Sequence, residues 1–117
     1  MKASFHFLPD LAREVVASLE SATPQPNIQG RAIYADSTVK VLLLPFRAGQ
    51  ELTEHTTPHA AIMHVLTGKG EITLGADTKT VQVGSWMWME GALPHSIRAE
   101  TDLVLLLQVF LDHRSPA

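Results

Sequence analysis

Three of the chain's six histidines, His55, His59 and His64, fall within ten residues, and a fourth, His95, closes the segment GSWMWMEGALPH that begins at Gly84. Neutral imidazoles suit Fe, Zn, Ni, Mn or Cu, and three of them with open positions leave room for a substrate or a water. Residues two apart in a strand face the same side, so His55, Thr57, His59 and Ala61 share one parity. If that stretch stays extended and meets the His95 segment, His55, His59 and His95 form a three-histidine metal site. Pro58 either sits in an extended edge or bends the chain and breaks the parity. His64 has the opposite parity and is expected at the surface or an interface. Glu54 also has outward parity. Glu90 ends the strand leading to His95, where a solvated carboxylate is the ordinary role and a compensating ligand the alternative. His6 and His113 lie near the termini, away from this constellation.

The elements that must position these rings are short. Residues 8–20, LPDLAREVVASLE, put Leu8, Leu11, Val15, Val16 and Leu19 on one helical face, with Asp10, Arg13, Glu14 and Glu20 mostly on the other. Asp10 suits the first turn of such a helix. A helix of this length must pack on something to persist. The stretch SATPQPNIQG, with two prolines and a glycine, reads as a linker. From Arg31 the period changes to two. Strands are expected at RAIYAD, Val39–Phe46, Glu51–His55, Ala61–Leu66, Glu71–Leu74, Lys79–Val83, Trp86–Met89, His95–Glu100 and Leu103–Leu111. The glycines at 68 and 70 read as turn glycines. Eight or nine short strands with regular turn signals predict an all-β sandwich or barrel. One domain is expected, with residues 1–29 as N-terminal helix and linker and 30–117 as barrel.

Bulk composition narrows the function classes. The 117 residues fit one core, and 45% apolar with 18% charged residues describes a folded chain. The net charge of −3 with scattered lysines and arginines argues against nucleic acid and anionic membrane surfaces. There is no cysteine, hence no thiolate ligand, thiol nucleophile or disulfide. The N-terminus lacks an apolar signal region, and no apolar run approaches the roughly 20 residues of a spanning helix. A cytoplasmic protein is expected. Val41–Leu44 and Leu103–Leu111 are apolar on both faces and each needs a second cover. The helix is expected to supply one and a partner subunit the other, which predicts a homodimer with sheet-face contacts.

The two histidine segments resemble the paired motifs of the cupins. In the first motif a glycine is followed after five residues by His-x-His, then after a short gap by Glu, and six residues later by glycine. Gly49, His55 and Gly68 match that frame, while Thr57 stands at the second histidine and Ala61 at the glutamate. In the second motif Gly84 and His95 match, with Glu90, Ala92 and Ala99 at the positions of its proline, glycine and asparagine. The resemblance spans roughly residues 39–110. It implies a double-stranded β-helix, a jelly-roll barrel, with the site in its mouth. It also implies a divalent metal on three histidines and a glutamate in many members, which act as dioxygenases, isomerases or lyases, and small-molecule or sensor binding in others. His55 and His95 occupy ligand positions, and His59 would replace the histidine missing at 57, one pleat on.

Inward parity also assigns Thr57, Ala61, Met63 and Val65 to the pocket wall. The family's apolar positions fall on Met87 and Met89, which leaves Trp86 and Trp88 under the helix or a dimer contact. Core packing is the commoner role for such methionines. Lining a cavity, Met63, Met87 and Met89 would make it soft and apolar, suited to a small, largely apolar ligand with one anionic or metal-binding group. No nucleophile elbow, phosphate loop or dinucleotide fingerprint is present. Two functions follow from the same pocket. One is a metal-dependent oxygenase, isomerase or lyase using the three histidines. The other is a non-catalytic ligand-binding or sensor protein that has lost its metal.

Overall fold

A computed structural model describes residues 2–21 and 28–112. Most of the linker expected at 21–30, and His113, lie outside them. Among the described residues one helix, α1 (Leu8–Ser21), precedes nine strands: β1 (Arg31–Ala35), β2 (Val39–Phe46), β3 (Glu51–His55), β4 (Ala60–Thr67), β5 (Lys69–Leu74), β6 (Asp77–Gln82), β7 (Trp86–Met89), β8 (His95–Ala99) and β9 (Leu103–Phe110). They form a five-stranded sheet, β1-β2-β9-β4-β7, and a four-stranded sheet, β3-β8-β5-β6. Every pairing is antiparallel. The expected all-β jelly-roll architecture with one short N-terminal helix is what the chain adopts.

One core joins the two sheets. Phe46, Met63, Val65, Leu103 and Leu105 from the large sheet pack with Ile72, Val81, Ile97 and Ala99 from the small one. Alternation along each strand turns the other residue set outward. On β2 and β9 this outer set is also apolar, and α1 lies over it. Ala12 and Val15 pack on Leu43, Val104 and Leu106, with Leu8, Leu11, Val16, Ile33, Val41 and Leu66 at the margin. Leu43 and Val104 are fully buried as a result. This corrects the sequence-based argument for a partner at β2 and β9. The barrel interior and the chain's own helix cover β2 at Val41 and Leu43 and β9 at Val104 and Leu106, while Phe110 at the end of β9 lies outside the helix contact. What stays open is the β7 end of the outer face, where Trp86 and Trp88 are 60% and 44% exposed instead of lying under the helix.

Two local devices hold the strands in register. Asp36 ends the β1–β2 hairpin by accepting hydrogen bonds from the Thr38 and Val39 amides, the Thr38 hydroxyl and the Tyr34 hydroxyl. Such an Asx turn gives the backbone its partners locally. These donors, the Tyr34 hydroxyl first, hold the Asp36 carboxyl far below the usual carboxylate range. Hydrogen bonding to the same carboxylate, with its charge, raises the Tyr34 phenol. The second device is the Gly68–Gly70 step. Gly68 takes φ of 88°, and a Cβ there would stand 2.0 Å from the Asp102 carbonyl. Gly70 is not a turn glycine as its spacing suggested. It lies inside β5, where a Cβ would meet the Arg98 carbonyl at 2.6 Å, so its role is close approach between β5 and β8.

Candidate functional site

His55 and His95 are register partners across β3 and β8. Their ring centroids are 4.2 Å apart at an interplanar angle of 59°. Alternation alone would not put His55 inside, because Leu52, three residues earlier, also faces the interior. The β3–β8 register shifts between Leu52 and His55, and that irregularity turns both side chains inward. A bulge thus re-aims the first histidine, and the paired strand delivers the second opposite it.

Both rings are held the same way. His55 Nδ1 lies 2.9 Å from the Thr53 carbonyl and His95 Nδ1 lies 2.9 Å from the Leu93 carbonyl. A carbonyl only accepts, so each Nδ1 carries the proton and donates. In the neutral ring Nε2 then holds a free lone pair. A backbone carbonyl on one nitrogen is the usual way to fix tautomer and orientation of a metal-binding imidazole. His95 is buried. Burial pushes its pKa below the ordinary histidine value; the Leu93 hydrogen bond opposes the shift and the His55 ring adds to it.

The pair lines a cavity of about 330 Å³ together with Thr57, His59, Ala61, Met63 and Met89. The chain leaves β3 after His55 and bends at Pro58–His59 before β4 begins at Ala60. The segment is therefore not extended throughout, yet all four residues of that parity line the same cavity. The bend rests on the β7–β8 turn: the Ala92 amide donates to the Thr57 carbonyl at 2.7 Å, and Gly91 is buried against Pro58. His59 Nδ1 is buried without a hydrogen-bond partner among the described residues. Even so, among the described residues no three His, Cys, Asp or Glu side chains are grouped closely enough to hold a metal ion. The donor chemistry of His55 and His95 fits a divalent transition metal for two ligands. The His59 ring shares their cavity but does not complete a three-ligand group in this conformation.

Other site expectations divide as follows. Met87 is absent from the lining of the histidine cavity and lines a second groove with Ile72, Leu74 and Val81. It lies two residues from Met89 on β7 and is partly buried against the core. His64 is half-buried on a strand whose inward positions are Ala61, Met63 and Val65. Glu90 is exposed and lines no part of the cavity. Glu54 lines a separate groove with Glu51, Glu71 and Arg98. Sequence reasoning missed Lys40, Leu42, Leu44, Leu107 and Val109, all on the cavity wall. The signal was parity: Lys40 shares a face with Leu42 and Leu44 on β2.

No family model matches the chain, and no curated protein sequence matches it. Solved structures do. A conserved protein of unknown function from Streptococcus pyogenes is 26% identical, with a TM-score of 0.66 over 80% of each chain. An RmlC-like cupin from Desulfovibrio desulfuricans is 22% identical, with a TM-score of 0.70 over 95% of this chain and 98% of that one. The fold is the cupin fold. A salicylate 1,2-dioxygenase from Pseudoaminobacter salicylatoxidans superposes with a TM-score of 0.72 at 21% identity, over 88% of this chain but only 34% of that enzyme. At such identities the likeness carries the architecture alone. It does agree with the site in one respect: the histidines that match the cupin frame, His55 and His95, are the two the barrel brings together.

Proposed function

We propose that this cupin binds a small, largely apolar molecule in the His55–His95 cavity, together with a divalent transition metal (Fe, Zn, Ni, Mn or Cu). The observation that carries the reading is the pair of Nδ1–H groups tied to strand carbonyls, which leaves two Nε2 lone pairs bare inside an apolar cavity. His55 and His95 would hold the metal, and His59, whose buried Nδ1 lacks a hydrogen-bond partner among the described residues, would turn in as third ligand. A metal so held supplies Lewis-acid or oxygen-activating chemistry of the kind oxygenases, isomerases and lyases use. The chain's own contribution is to keep His95 neutral by burial, orient both rings through Thr53 and Leu93, and exclude water with Met63, Met89 and the aliphatic wall. With Ala61 at the carboxylate position the centre would keep more positive charge and a more open face.

A second reading has its own support. The missing three-ligand group among the described residues favours a ligand-binding or sensor cupin without metal. Metal content per subunit of the untagged protein, after reconstitution and desalting, separates the two. About one equivalent, lost in both His55→Ala and His95→Ala, supports the metal centre, and loss in His59→Ala adds the third histidine. Background metal in the parent protein leaves the ligand-binding reading alone. The salicylate dioxygenase shows what one protein of this fold does and lends weight only to a small-molecule partner.

The homodimer belongs to the same reading, placed at the open end of the outer face that β7 and the end of β9 form. Trp88 stacks against Phe110 at 6.1 Å there, and Trp86 pairs across β4 with His64. A solution mass of twice 12.8 kDa by light scattering, falling to 12.8 kDa in Trp88→Glu, supports it, and a monomeric parent protein removes it. A cytoplasmic location is also part of this proposal and is checked by cell fractionation. Among the described residues no helix is long and apolar enough to cross a membrane.

A further inference from the structure

We infer that Lys40 makes the cavity selective for monoanions, so that its ligand is a small apolar molecule carrying one carboxylate. The inference rests on the ligand-binding reading above and adds the ligand's class. Lys40 lines the cavity on the same face of β2 as Leu42 and Leu44. The opposite face of β2, with Val41 and Leu43, is apolar and lies beneath α1. Lys40 is exposed near the start of β2, so its ammonium stays solvated at the mouth of the cavity while Leu42 and Leu44 line the wall below it.

Its surroundings leave the charge available. None of the described residues that line the cavity is an aspartate or glutamate. Among the described residues Lys40 makes no ion pair. The acid closest in sequence, Asp36, is engaged by Tyr34, Thr38 and Val39. The glutamates Glu51, Glu54 and Glu71 line a different groove. The cavity thus combines one fixed cation, the Thr57 hydroxyl and three imidazoles with aliphatic walls from Leu42, Leu44 and Met63. β2 places Lys40 beyond Leu42 and Leu44, toward the strand's start, while Phe46 at the other end sits in the closed core. Charge at one end and hydrocarbon along the other match an amphipathic ligand. At about 330 Å³ the volume lies near the lower limit for small-molecule pockets, which sets the ligand at the size of a single ring or a short branched chain.

The test uses metal-free full-length protein at pH 8, where unperturbed imidazoles are neutral and lysine keeps its charge. Cyclohexanecarboxylate and its neutral counterpart cyclohexylmethanol are titrated into labelled protein, and affinities are read from amide shifts of the cavity residues. The carboxylate is expected to bind about tenfold more tightly than the alcohol, the strength of one charge-assisted hydrogen bond. That preference should vanish in Lys40→Met and persist in Lys40→Arg. An undiminished preference in Lys40→Met overturns the inference while leaving the pocket reading intact. If neither probe moves the cavity amides, both fall.

Discussion

Gly91→Ala is the sharpest perturbation of the site's framework, because the change is one methyl and its surroundings are backbone. Gly91 is buried, and a Cβ built on it stands 2.4 Å from the Pro58 carbonyl oxygen and 3.0 Å from its carbon. Neither atom can rotate away. Its φ is not among the left-handed glycine values, so the penalty is steric rather than conformational. The neighbouring Ala92 already holds φ of 65° and donates to the Thr57 carbonyl, so the β7–β8 turn has little freedom to retreat. The 56–59 bend must open by roughly 0.5–1 Å to restore contact, a distortion of the kind that costs about 1–3 kcal/mol in a packed interior. With a urea slope of about 1–3 kcal/mol per molar, the unfolding midpoint should drop by about 1 M. The same opening should shift the His59 ring resonances and spare those of His64, which lies on the opposite face of β4. A midpoint within about 0.2 M of the parent, with His59 unmoved, would show that the turn does not brace the bend and that His59 is not held in the cavity.

Two further outcomes follow from titrating groups. Tyr34 is the chain's one tyrosine, so absorbance at alkaline pH reports it alone. Its midpoint should lie above 10.0 and fall toward that value in Asp36→Asn, and an unchanged midpoint would contradict the Asp36 hydrogen bond. Metal-free protein should lose stability as pH falls from about 7 through the folded-state pKa of His95. Burial lowers that pKa below the unfolded 6.5, so the unfolded chain binds more protons across the window. Urea midpoints at pH 7.5 and 5 should converge in His95→Gln, and an undiminished pH slope there would place the titration elsewhere.

The fold was legible because its signals are local and repeated. Period-two runs between glycines and prolines marked all nine strands to within two residues, and the 3.6-residue stripe from Leu8 to Leu19 marked the helix. The histidine pair was legible through the cupin frame, since His55 and His95 stand at matching positions. What failed was geometry that no period encodes. The irregularity between Leu52 and His55 breaks simple parity, and the bend at Pro58 brings His59 to the wall of the same cavity, with no three-ligand group among the described residues. Met87 has inward parity, but parity says nothing of how deep along the barrel a residue lies. Gly70 looked like half of a turn and proved to be a contact between strands, which only the β5–β8 pairing reveals. Lys40 was passed over because the search for chemistry stayed with histidines and carboxylates, although its alternation with Leu42 and Leu44 was in plain view.

The tautomers of His55 and His95 test the site most directly. Long-range proton–nitrogen correlation on metal-free protein at pH 8 distinguishes a protonated ring nitrogen from a bare one. Both residues should show Nδ1 protonated and Nε2 bare, and one equivalent of Zn²⁺ should shift the Nε2 signals of the two together. A proton on Nε2 of either ring, or two rings that respond independently, would contradict a shared centre between β3 and β8.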